Sequence, residues 1–208
     1  MISLVVDTCT SNLVISVCND DKVLSQLIQK NDTNLSTNFT SLVDGVIKDA
    51  NITTNDIEQI FVANGPGSFT GIRVGLTFAK VFAWSKKVKI VPFSSLELLA
   101  SSGDNDYIVS LLDARRGYVY AGIYDKKLNC IINDQYIELD KLLEVSKDYS
   151  NISFISCDNF ELSIKEPSYD VMKILEKHKN DSGVNPHTLN PNYLKKTEAE
   201  EKLGIKND

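Results

Sequence analysis

The stretch NGPGSFTGIRVG, Asn64 to Gly75, holds the most suggestive chemistry in the chain. An apolar run leads into it and a helical pattern leads out. Unpaired amides at a helix N-terminus, with the helix dipole behind them, bind anions. Ser68 is a good N-cap, and Gly65 and Gly67 would let a backbone approach a ligand. The spacing fits neither phosphate-binding signature. No Lys follows the glycines as a P-loop requires, and Thr70 stands where the third glycine of a dinucleotide fingerprint belongs. Pro66 also removes a donor. The structural alternative is a tight strand-to-helix turn.

Asp7 and Asp113 are the best catalytic candidates. Each ends an apolar run and opens a short polar turn, so each can either organise a hydrated Mg²⁺ in a cleft or cap its own turn. Arg115 and Arg116 follow in the second turn, placed to meet a phosphate or an acidic partner. The histidines, His178 and His187, lie nine residues apart and form no HxxxH pair. Cys9, Cys18, Cys130 and Cys157 form no CxxC, which argues against a zinc site or a disulfide framework. No Ser-His-Asp or Cys-His arrangement is legible. The expected catalytic and metal sets are empty.

The elements that must position these residues read as α/β. ISLVVDTCTSNLVISVC and YIVSLLDARRGYVYAGIY have one shape, an apolar run, an Asp, a polar turn and a second apolar run. Two such hairpins half a chain apart suggest a duplicated domain. The polar segment GDNDY (103–107) is the expected boundary, giving units 1–103 and 104–208. Helices are expected over 36–49, with Ser36 or Thr37 as N-cap, over 69–86, and as a short helix starting in TTNDIEQ. SSLE (94–97) fits a capping box. The charged end, KKTEAEEKLGIKND, is expected to fray.

The second helix carries more information than the loop before it. At ~100° per residue from Phe69, Val74, Phe78, Val81 and Phe82 fall between ~120° and ~220°, and Ile72, Leu76, Ala79 and Ala83 between ~280° and ~340°. The polar Thr70, Arg73, Thr77 and Lys80 occupy only ~20° to ~100°. An apolar arc of about 220° is twice the usual ~100° stripe. One face can cover a sheet. The other must meet the first helix or a second polypeptide.

At 208 residues, 42% apolar and 24% charged, the chain has the composition of an ordinary globular protein. A net charge of −6 argues against unaided nucleic-acid binding. No apolar run approaches the roughly 20 residues of a membrane span. The N-terminus does not read as a signal peptide, so a cytoplasmic location is expected.

VVDTCTSNLVISVC, GPGSFTGIRVG, SSLELLA, DARRGYVYAGIY and NPNYLKKTEAE, in this order, resemble the TsaB (YeaZ) family of the bacterial tRNA threonylcarbamoyladenosine (t6A) machinery. The resemblance implies two actin-like domains of the ASKHA, ribonuclease H-like class, the second smaller. It implies a non-catalytic subunit that pairs with TsaD, the threonylcarbamoyltransferase, with TsaE, an ATPase, joining them. The product would be t6A at A37 of ANN-decoding tRNAs, with tRNA met only through the complex. Alone, the chain would form a homodimer through a similar surface. The implied interface lies on the first two helices, at Phe39, Leu42, Val43, Val46, Arg73, Val74, Phe78, Val81 and Phe82. No cofactor of its own is implied. An ADP or ATP at the assembled interface would meet Asp7, Thr8, Gly65, Gly67, Ser68 and Asp113. The competing reading is a small ATP-dependent phosphotransferase of the same superfamily.

Overall fold

The computed structural model describes residues 1–31 and 34–195. Their elements are β1 (Ser3–Asp7), β2 (Asn12–Cys18), β3 (Val23–Lys30), α1 (Leu35–Asp49), β4 (Gln59–Ala63), α2 (Phe69–Lys86), β5 (Lys89–Phe93), α3 (Ser95–Ala100), β6 (Tyr107–Asp113), β7 (Tyr118–Asp125), β8 (Cys130–Glu138), α4 (Leu139–Ser146), β9 (Ile152–Ile155), β10 (Ile164–Lys165) and α5 (Val171–Lys177). The charged end, expected to fray, lies outside the described residues from residue 196 onward.

Two five-stranded sheets repeat one plan. The first has the order β3-β2-β1-β4-β5 and the second the order β8-β7-β6-β9-β10. In each, the hairpin strands are antiparallel and the next two strands are parallel to the first. β1 pairs Asp7 with Val14, and β6 pairs Asp113 with Val119, so both aspartates end the central strand of their sheet. This repetition is the ASKHA arrangement, an α/β fold of two ribonuclease H-like halves.

β1 and β4 are buried along their whole length, as central strands covered on both faces are. α1 lays Leu35, Phe39, Val43, Val46 and Ile47 into that core. α2 lays in Ile72, Leu76, Ala79 and Ala83, one of the two apolar faces its periodicity resolves. A second, smaller cluster around Val109, Leu111, Ala121 and Leu142 belongs to the second sheet and α4.

After α5 the chain returns to the first sheet. Val184 N donates to Ile90 O (2.9 Å), beside the edge strand β5, and Asn192 N donates to Asn64 O (2.7 Å). Leu189 is buried at 7% exposure, and Lys80 Nζ donates to its carbonyl (3.0 Å).

Some local expectations differ. α1 starts a residue early, with Asn34 at the cap position. TTNDIEQ forms a turn instead of a helix, because the Asp56 carboxylate takes both the amide and the hydroxyl of Thr53 (2.7 Å each). Ser94 caps α3 as expected, accepting from Leu96 N (3.1 Å). Glu97, the other half of the capping box, turns instead to His178 Nε2 (3.0 Å). Among the described residues no helix is long and apolar enough to cross a membrane.

Candidate functional site

The glycine loop clamps α2 onto the turn that follows β1. Ser68 caps the helix, its Oγ accepting from Gly71 N (3.3 Å), while Ser68 N donates to Cys9 O (2.7 Å). Thr8 Oγ1 donates to Gly71 O (2.6 Å). A Cβ on Gly67 would stand 2.2 Å from Cys9 O, and one on Gly71 would stand 2.0 Å from Thr8 O. Both contacts are with backbone that cannot turn aside. A Cβ on Gly75 would stand 2.4 Å from the Thr8 side-chain hydroxyl. The glycines therefore admit a neighbouring strand end of the same chain, and two of the amides a phosphate would seek, those of Ser68 and Gly71, already have acceptors.

A cleft of about 970 Å³ opens between the halves, within the range of small-molecule sites. Gly67, Ser68 and Asp113 line it, together with Arg115, Asp158 and Lys195. Asp7, Thr8 and Gly65 do not. Asp7 has no exposed surface. Its Oδ1 accepts from Cys9 N (2.7 Å) and its Oδ2 has no partner. Burial raises its carboxyl from the ordinary 3.8 to about 6, against the pull of the Cys9 amide. Of the two roles the sequence leaves open for Asp7, the structure shows the turn cap. It caps its own turn, walled off from the cleft. Asp113 makes the same turn, its Oδ1 accepting from Arg115 N (2.8 Å), but it is exposed and its amide donates to Asp158 Oδ2 (2.9 Å). The equivalent positions differ because only the first turn is packed beneath a glycine-thinned helix.

A second concavity, about 620 Å³, lies between α2 and α1, and Ser36 lines it and the cleft alike. Ser36, Phe39 and Thr40 form one wall, and Arg73, Val74, Phe78 and Val81 the other, with Phe82 in the floor. Phe39 meets Phe78 edge-on (5.2 Å, 88°), and Phe78 stacks on Phe82 (5.7 Å, 28°). α1 thereby shelters Phe82, while Val74 and Phe78 stay half-buried and Val81 is 60% exposed.

Four residues expected at a partner surface belong instead to the interior. Val43, Val46 and Phe39 are 2–3% exposed and Phe82 9%, because the apolar stripe of α1 packs inward. Only Phe39 and Phe82 also touch the groove. Leu42 is half-buried and lies off it. Trp84, 64% exposed one turn beyond Lys80, extends the apolar surface. Sequence reasoning missed it, although a Trp in an otherwise polar arc was a usable signal.

A family model described as "TsaD: tRNA N6-adenosine threonylcarbamoyltransferase" matches residues 22–172. The Bacillus subtilis tRNA threonylcarbamoyladenosine biosynthesis protein TsaB is 33% identical over 97% of each chain. The Escherichia coli protein of that name is 26% identical over 65% of this chain and 60% of its own. The solved structure of YeaZ from Pseudomonas aeruginosa superposes with a TM-score of 0.78, at 15% identity, over 93% of this chain and 99% of that one, which speaks for the fold. With near-complete coverage on both sides, the chain belongs to the TsaB (YeaZ) family.

Proposed function

We propose that the chain is a non-catalytic subunit of t6A synthesis. It docks a TsaD-type threonylcarbamoyltransferase through the α1–α2 groove, and the assembly modifies A37 of ANN-decoding tRNAs. The observation that carries this reading is the unfinished second face of α2. Val81 and Trp84 stand 60% and 64% exposed beside a groove whose Phe39, Val74, Phe78 and Phe82 are rimmed by Ser36, Thr40 and Arg73. Isolated exposed apolar side chains are ordinary, but a continuous groove floored by stacked rings marks a contact surface.

The residues fit phosphoryl transfer poorly. The loop glycines are packed against Thr8 and Cys9, no lysine follows them, and the best candidate carboxylate, Asp7, is sealed from the cleft. This supports a scaffold over a phosphotransferase. With a net charge of −6, affinity for tRNA falls to the partners, a TsaD-type subunit and a TsaE-type ATPase. In their absence the same groove would join two copies of the chain.

Reconstitution tests the reading. t6A formation is measured with the TsaD-type and TsaE-type subunits and a source of threonylcarbamoyl-AMP, with and without this chain. Product should require the chain, and the isolated chain should turn over no ATP. Full t6A synthesis without it, or ATP turnover that Asp7→Asn abolishes, would reverse the assignment.

A further inference from the structure

Arg73 is exposed at the mouth of the groove, yet it is held in place. Its Nε donates to the Tyr193 hydroxyl (2.9 Å), and its guanidinium carbon lies 5.9 Å from the centre of that ring. Tyr193 is fixed in turn. Its ring stacks on Phe69 at the start of α2 (4.6 Å, 29°), and the preceding residue is tied to Asn64. An exposed arginine ordinarily samples many rotamers. This one is held by a phenol delivered from 120 residues further along the chain.

The anchor uses Nε and leaves the two Nη groups, whose planar fork matches a carboxylate. Among the described residues no carboxylate forms a salt bridge with Arg73. A partner covering the groove removes water from that guanidinium, and a desolvated charge without a counter-ion opposes binding. The occupant must therefore supply an acid. α2 carries Arg73, Lys80 and Lys86 and no acidic residue. On α1, Asp44 continues the line of Ser36 and Thr40 but is paired with Lys48 (2.6 Å). A second copy of this chain is thus poorly supplied to answer Arg73, whereas a different subunit can carry a dedicated carboxylate.

We infer that Tyr193 is a positioning residue that presets Arg73 to grip a carboxylate on the docked TsaD-type subunit. The inference rests on the docking reading above. Immobilising a rotamer-rich side chain at an interface costs about 0.5–1.5 kcal/mol, and Tyr193 removes that cost before the partner arrives. Loss of its hydroxyl alone should therefore weaken docking by about two- to twelvefold.

The test is a double-mutant cycle on the full chain, with the dissociation constant for the TsaD-type subunit read by calorimetry. Tyr193→Phe keeps the stack on Phe69 and deletes the hydroxyl. Arg73→Ala deletes the fork. Arg73→Ala should weaken binding by about tenfold or more and flatten its dependence on salt. Tyr193→Phe should fall in the range above, and the double variant should be no weaker than Arg73→Ala. If the two losses multiply, the hydroxyl acts elsewhere and the inference fails. Wild-type affinity in Arg73→Ala also overturns it. Val81→Asp separates the two levels. If that variant docks normally, the groove reading itself is wrong, and if it abolishes docking while Arg73→Ala does nothing, only the role of Arg73 and Tyr193 falls.

Discussion

Val81→Asp should separate folding from docking, because Val81 is 60% exposed in the isolated chain. Full burial of a valine side chain is worth about 1.5–3 kcal/mol, so covering its open part contributes roughly 1–2 kcal/mol to docking. The new carboxylate forfeits that contribution. It also places a charge against Val74, Phe78 and Phe82, where an unpaired ion costs at least about 2 kcal/mol more. The sum is about 3 kcal/mol or above, more than a hundredfold in Kd. In the free chain the same side chain points into water, where surface substitutions stay within about 0.5 kcal/mol, or about 1–2 °C in Tm at this size. Calorimetric titration against the TsaD-type subunit, paired with a thermal melt, measures both. A variant that melts and binds like the parent would show that the partner docks elsewhere. A variant that melts far lower would show that Val81 is core.

Gly71→Ala should cost about 3 kcal/mol, or about 6–12 °C in Tm, since its Cβ would stand 2.0 Å from the Thr8 carbonyl. Gly45→Ala, inside α1 with nothing within 4 Å, should instead gain about 0.5–1 kcal/mol, and a common sign in the two melts would refute the close-packing account. Asp7 has a folded pKa raised from 3.8 to about 6, so its contribution to stability is present below the ordinary value and lost as pH rises through about 6. Asp7→Asn should therefore be the more stable protein at pH 7, by roughly 3 kcal/mol for a shift of about two units, with the advantage fading toward pH 4. No such gain in urea unfolding across that window would mean that the buried carboxylate has a partner. Burial pulls the His178 pKa down, but the hydrogen bond and charge of Glu97, then those of Asp181, outweigh it, and the net shift is upward from 6.5. The stability it adds is complete below that value and is lost as pH rises through the folded pKa, so His178→Asn should flatten the Tm profile above pH 6.5. An unchanged profile would dismiss the Glu97 pair as energetically idle.

The repeated hairpin with its terminal aspartate was legible because both halves keep their apolar runs and turn residues in register. Angular projection found the two faces of α2, and Val74, Phe78 and Val81 do open to the groove. Projection gives direction without saying what covers it. Phe82 therefore looked available although α1 shelters it, while Val43 and Val46, which family resemblance rather than projection put at the interface, pack inward. Glu97 fits a capping box by local spacing, yet it pairs with a histidine 81 residues away. Arg73 meeting Tyr193, and Lys80 meeting Leu189, are contacts across more than a hundred residues. No local pattern announces such pairings, and they decide how the mouth of the groove is built.

The return of residues 184–193 to the first sheet sets an order of events during synthesis. The ribosome releases β5 and α2 about a hundred residues before the segment that finishes them. Until then the carbonyl of Ile90 lacks the amide of Val184, and Arg73 has no phenol to steady it. A nascent chain therefore offers the greasy trough without its fixed cation, and Arg73 is steadied only once residues 184–193 have emerged.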